Sequence, residues 1–265
     1  MPRYLQGNKP QEERAIQNRT QARVANAAAP DFEAEIMRAF EEAASEYRRW
    51  ESETVIESIL EQHNETMSNL VEKTWIRSGR LAGERTLGAV NKHMGMTWET
   101  KQEEGEMGIF MEIFRSYIIG EALVRAVGLG LTTMKVIRDV IFGAKQRGES
   151  VDGIAKAILN QGSIDSKYRA MMIARTESHS AYNTARQAAA EASPLTLSKE
   201  WVSSDDGRTR DFGNGKFSHR QADGEIVLLN EKFVETGEAL RFPGDPSGSA
   251  GNVIHCRCGT VDVLD

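Results

Sequence analysis

The rhythm of apolar residues changes once along this chain, near Pro194, and that change constrains the fold more than any other feature. Before it, apolar side chains recur at steps of three and four: Phe32, Ile36, Phe40, Ala43, Tyr47 and Trp50, then Ile56, Ile59, Leu60, His63, Met67, Leu70 and Val71, then Met107, Phe110, Phe114, Tyr117, Ile118 and Val124. Such spacing places one stripe of each helix in a core. His63 lies on a stripe, so a core histidine is expected there rather than a ligand. After Pro194 glycine becomes frequent. Short β-type runs at Trp201 and Val202, at 226–229 and at 260–263 alternate with the turn strings DDGRTR, GNGKF, ADGE and PGDPSGSAG. The expected class is α+β: a mainly helical N-terminal body with a small, loop-rich, β-containing C-terminal module.

Finer boundaries follow from punctuation. Residues 1–30 read as a polar basic arm, with Arg3, Lys9, Arg14, Arg19 and Arg23 against Glu12 and Glu13, ending at Pro30. Asp31 then caps a helix, and 31–130 form a helical region suited to docking. Residues 79–105 loosen into a short helix with connections. Gly128 and Gly130 end a helix, and Thr132 or Thr133 caps the next. Ser150 caps a short helix, and a separate long one spans 166–192. Residues 131–265 form the second unit, with helices over 131–193 and a β-rich module over 194–265.

The longest apolar stretch, 109–141, is interrupted by Glu112, Arg115, Glu121, Arg125 and Lys135, which argues against a membrane span. The first residues lack an apolar run of leader type, so a cytoplasmic protein, or one packed into something assembled there, is expected. A net charge of −6 disfavours a dedicated nucleic-acid binder. The basic arm is the exception: it can touch phosphate, although a solvated tail is its default reading.

The chemistry-bearing residues cluster after Pro194. The only cysteines, Cys256 and Cys258, stand in HCRC, too close for an unstrained disulfide. In extended backbone both sulfurs face one side. With His219 they supply three of the four ligands of a tetrahedral zinc, which would help a small module fold. Asp206, Asp211 or Asp223 is the expected fourth, and His255 should point away. The plain alternative is two buried thiols and a surface histidine. In DDGRTR, Arg208 and Arg210 either bind phosphate or form internal ion pairs, the default for such a turn. Pro243 and Asp245 in PGDP shape a tight bend. In IARTES, Arg175 is expected to reach a carboxylate in another element, and Glu177 is a catalytic acid only if a partner is found for it.

In order, GLTTMKVIRDVI, RGESVDGIAKAI, RAMMIARTESHSAYNTAR, KEWVSSDDGRTR with Trp201, HRQADGEIV, GEALRFPGDP and VIHCRCGTV resemble the Mu F-like head morphogenesis family of tailed phages and prophages. The resemblance covers about 131–263. It implies a non-enzymatic minor head protein of the virion, in the head interior or at the portal vertex, made in the host cytoplasm. It implies partnership with the portal, or with the major capsid or scaffold protein, and for some relatives contact with non-specific DNA. DNA handling during packaging or ejection is the second reading, and a metal-dependent hydrolase built on His219, Cys256 and Cys258 the third. Some relatives carry cysteines where Arg210 and His219 stand here, giving a four-cysteine zinc site. His219 can substitute as a ligand; Arg210 cannot.

Overall fold

The computed structural model describes residues 3–52, 54–95 and 103–264. Five long helices form the body: α1 (Pro10–Trp50), α2 (Val55–His93), α3 (Glu103–Tyr117), α4 (Leu123–Gln146) and α5 (Val151–Glu191). A π-helical turn, Ile118–Ala122, joins α3 to α4. A four-stranded antiparallel sheet follows, in the order β1 (Arg3–Tyr4), β4 (Gly259–Leu264), β2 (Leu197–Val202), β3 (Ile226–Leu228). A one-turn helix, α6 (Ala250–Val253), precedes the cysteines. The α+β reading holds, and the three expected β-runs are β2, β3 and β4.

Of the expected arm over residues 1–30, the described residues 3–30 do not form a separate arm. The helix α1 starts at Pro10 and runs through Pro30, because the buried stripe Ala25, Ala29, Phe32, Ile36, Phe40 and Ala43 is unbroken across it. Core burial on both sides outweighs the roughly 3 kcal/mol that an interior proline costs. Before α1, Tyr4 pairs with Val263 in the sheet, and the Tyr4 hydroxyl donates to Glu200 at 2.9 Å. Gln17 Nε2 donates to Thr260 O at 2.9 Å. The first residues thus clasp the last strand.

The other helix breaks expected at glycines are also absent. Gly128, Gly130, Thr132 and Thr133 lie inside α4, and residues 151–191 form one helix. Ser150 does cap that helix, its Oγ accepting from Gly153 N at 3.2 Å. Within α2, Gly79 and Gly83 permit close approach: a Cβ would fall 2.1 Å from Phe114 Cζ at the first and 2.4 Å from Phe110 Cζ at the second. Those rings stack on each other and, through Phe114, on Trp75. Gly79→Ala should therefore lower stability by about 1–2 kcal/mol, since overpacking costs about 1–3 kcal/mol and outweighs the helix-propensity gain. A urea midpoint equal to or above wild type would refute this.

The C-terminal half of α5 is the centre of the molecule. Every residue from Thr176 to Ala190 is buried, and most are small. Small side chains let α1, α2 and the sheet close around one helix. His63 is fully buried, with Nδ1 2.6 Å from Glu35 Oε1, as expected of a core histidine.

Candidate functional site: a His–Cys cluster bolted to a buried arginine

The chain reverses sharply before the cysteines, His255 taking a positive φ of 61°. This turn directs both sulfurs at one imidazole: Cys258 Sγ lies 3.3 Å and Cys256 Sγ 3.6 Å from His219 Nδ1. The three ligand atoms lie within 4.8 Å of one another, all three residues are buried, and together they can hold a metal ion. The far side of the ring is fixed too. Asn252 Nδ2 donates to Glu238 Oε2 at 3.1 Å, leaving Asn252 Oδ1 to face His219 Nε2 at 2.6 Å. An acceptor there requires the proton on Nε2, so the Nδ1 lone pair faces the sulfurs. This is the supporting arrangement that orients metal-binding imidazoles. Asn252 and Glu238 went unnoticed in the sequence, because nothing marks them until the turn folds.

Burial alone would push both thiols up. It does so for Cys258, reinforced by Cys256. Cys256 is instead held below the ordinary thiol value by hydrogen bonds from Cys258 and by the fields of Arg210 and Arg257. Around the pair lies a core of Trp201, Ala222, Phe233 and Leu240, with Trp201 edge-on to His219 at 5.3 Å.

The module is fastened to the body by two arginines. Arg186 of α5 is buried and donates to Asp262 Oδ2 at 2.6 Å, to Thr260 Oγ1 at 2.6 Å and to Thr260 O. Arg241 pairs with Asp245 and reaches Glu121 of the π-turn at 2.8 Å. Asp245 is buried in the PGDP bend, where it also accepts from Arg241 N and Ser247 N. Gly244, at φ 78°, lets this bend press on His179.

Residues 135–261 match the family model described as Phage Mu protein F like protein. This segment is Mu F-like. The match supports a phage head-related protein. Comparison with curated proteins and with solved structures gives no match. No helix among the described residues is long and apolar enough to cross a membrane.

Within the Mu F-like segment several expectations need correction. Asp206 is not a fourth ligand: both its oxygens accept from Arg257, the residue between the cysteines. Asp223 accepts from Ser203 N, and Asp211 caps the 3-10 turn Phe212–Asn214. No fourth His, Cys, Asp or Glu joins the cluster among the described residues. Arg210 stands beside Cys256 and donates to Ile254 O. Arg175 is exposed and forms no ion pair among the described residues. The embedded arginine is Arg186, about three helical turns further along the same helix. Glu177 is bound by Arg125 at 2.8 Å and Trp75 Nε1 at 2.9 Å, a docking role between helices. The aspartates of DDGRTR pair outside the turn, with Arg220 on Asp205 and Arg257 on Asp206, and not with Arg208 or Arg210 as expected. Arg208 stays exposed, while Trp201 and Pro243 are buried.

Burial alone would raise the Asp245 carboxyl, but the hydrogen bonds from Arg241 and Ser247 hold it below its ordinary value. Its contribution is therefore complete above the unfolded pKa of about 4 and is lost as pH falls through the folded value. Asp245→Asn should cost about 3 kcal/mol at neutral pH. The urea midpoint of wild type should then fall toward that of the variant as pH drops below about 4. A gap that stays constant with pH would show that the charge contributes nothing.

Proposed function

We propose that this chain is a minor head protein that acts in capsid assembly by docking on the portal, and that its Mu F-like module is a rigid cap without catalytic activity. The family match carries this reading. The use of Glu177 and Asp206 in structural pairs is consistent with it. The docking element is the outer face of α4, where Val124, Val127, Leu131 and Phe142 are all exposed at helical spacing. In the cap, His219 Nδ1, Cys256 and Cys258 would hold a structural zinc, which would cross-link the turn after β2 to the last strand. The expected location is the virion, at the portal vertex or inside the head.

The test is capture by the cognate portal protein at low and high salt. The variants must keep the chain whole, because a cut at Leu131 falls inside α4. Wild type should be captured in both salts, and Val124→Glu with Leu131→Glu should abolish capture without changing the circular dichroism. Equal capture of wild type and variant would remove α4 as the interface. No capture of wild type would remove portal docking.

A further inference from the structure

Four arginines from three separate stretches face one open cleft of about 720 Å³: Arg175 on α5, Arg208 and Arg210 after β2, and Arg257 between the cysteines. The remaining wall includes Asn18 and Gln21 of α1, and no carboxylate belongs to the lining. In a chain of net charge −6 this is a strong local excess of positive charge. Two of the four guanidinium groups are partly committed. Arg257 serves Asp206, and Arg210 donates to Ile254 O. The other two, Arg175 and Arg208, are exposed and form no ion pair among the described residues.

A second observation points to a ligand. Gln21 is buried and its Oε1 lies 3.0 Å from His179 Nδ1, which leaves Gln21 Nε2 as a donor without an acceptor among the described residues. Buried donors are nearly always paired, and an oxygen in the cleft would pair this one. Beside the cleft the exposed ring of Tyr168 lies 6.5 Å from that of His255. It offers a flat face of the kind on which bases stack.

We propose that this cleft is a phosphate-binding site, with Arg175 and Arg208 as its free forks and Arg210 and Arg257 as its fixed wall. Guanidinium forks match phosphate oxygens two at a time, and an amide donor at the back completes the cradle. The phosphate belongs either to a nucleic-acid backbone lying across the opening or to a free phosphate group. This site is independent of portal docking: its lining comes from α1, α5 and the module and includes no residue of α4.

The experiment measures the intact chain by fluorescence anisotropy with a labelled 12-nucleotide single-stranded oligodeoxynucleotide, and separately by calorimetry with inorganic phosphate. The key variant is Arg175→Gln with Arg208→Gln, at two exposed positions whose loss leaves the fold intact by circular dichroism. Arg19→Gln with Arg23→Gln, elsewhere on α1, is the control for general basicity. The expected result is oligonucleotide binding that weakens at least tenfold in the cleft variant and changes little in the control. Loss of two phosphate contacts should also make the salt slope shallower by roughly 1.4, at about 0.7 per contact for single strands. Phosphate binding alone, abolished in the cleft variant, would support the site and assign it a small anion. Binding of neither probe, or a cleft variant that binds like wild type, would overturn it.

Discussion

Arg186→Met should destabilise the fold by about 3–5 kcal/mol, the cost of breaking a buried ion pair from one side. Asp262 is only 3% exposed and Thr260 only 5%, so water cannot replace the lost guanidinium. Three acceptors, Asp262 Oδ2, Thr260 O and Thr260 Oγ1, lose the guanidinium together, which leaves Asp262 Oδ2 to Gln6 Nε2 and Thr260 O to Gln17 Nε2. For a chain of this length the melting temperature should fall by on the order of 10 °C. The double variant Arg186→Met with Asp262→Leu should recover part of the loss, since an apolar pair removes the stranded charge. Arg186→Lys should fall between, because one ammonium cannot serve two residues in the same geometry. A wild-type melting temperature in Arg186→Met would mean that the sheet is held to α5 by packing alone.

The second large effect concerns the proposed zinc. Protein purified without chelator should carry about one zinc per chain, the stoichiometry of a single structural site. Cys256→Ser and Cys258→Ser should each remove it. A structural zinc contributes on the order of 10 kcal/mol of binding free energy with a full ligand set. Even an incomplete set should outweigh any one hydrogen bond, worth about 1 kcal/mol. Chelation should therefore lower the wild-type melting temperature by roughly 10 °C or more and leave Cys256→Ser unmoved. Glu238→Ala should keep the ligands but weaken zinc affinity by about 10- to 100-fold, because it frees the Asn252 amide that orients His219. If chelation has no effect on wild type, the cluster is metal-free, with Cys256 held beside the cationic Arg210.

The ligand trio His219, Cys256 and Cys258 was legible because cysteine is rare here and CxC spacing limits where two sulfurs can point. Its supports were not. Asn252 and Glu238 are ordinary polar residues until a four-residue helix and a turn bring them behind the imidazole. Asp206 looked like a ligand because carboxylates near cysteines often are. The structure gives it to Arg257, whose fork both its oxygens fit. Arg175 and Arg186 both stand on α5, and sequence periodicity could not tell which faced inward. That depends on where the sheet packs, and the sheet packs on the Arg186 side.

Helical periodicity up to Pro194 and glycine-punctuated β-runs after it determined the class of fold and its principal strands, and the ordered motif strings over 131–263 carried the family resemblance. These are local signals, carried by side-chain spacing and backbone preference within a few residues. Only the tertiary structure decided that α1 passes through Pro30, that α4 and α5 pass through their glycines, and that the first strand closes the sheet against the last. Each of those outcomes sets a local penalty of a few kcal/mol against burial shared with distant elements. The competing burial term comes from contacts between residues such as Gly79 and Phe114, or Gln17 and Thr260, that lie far apart along the chain.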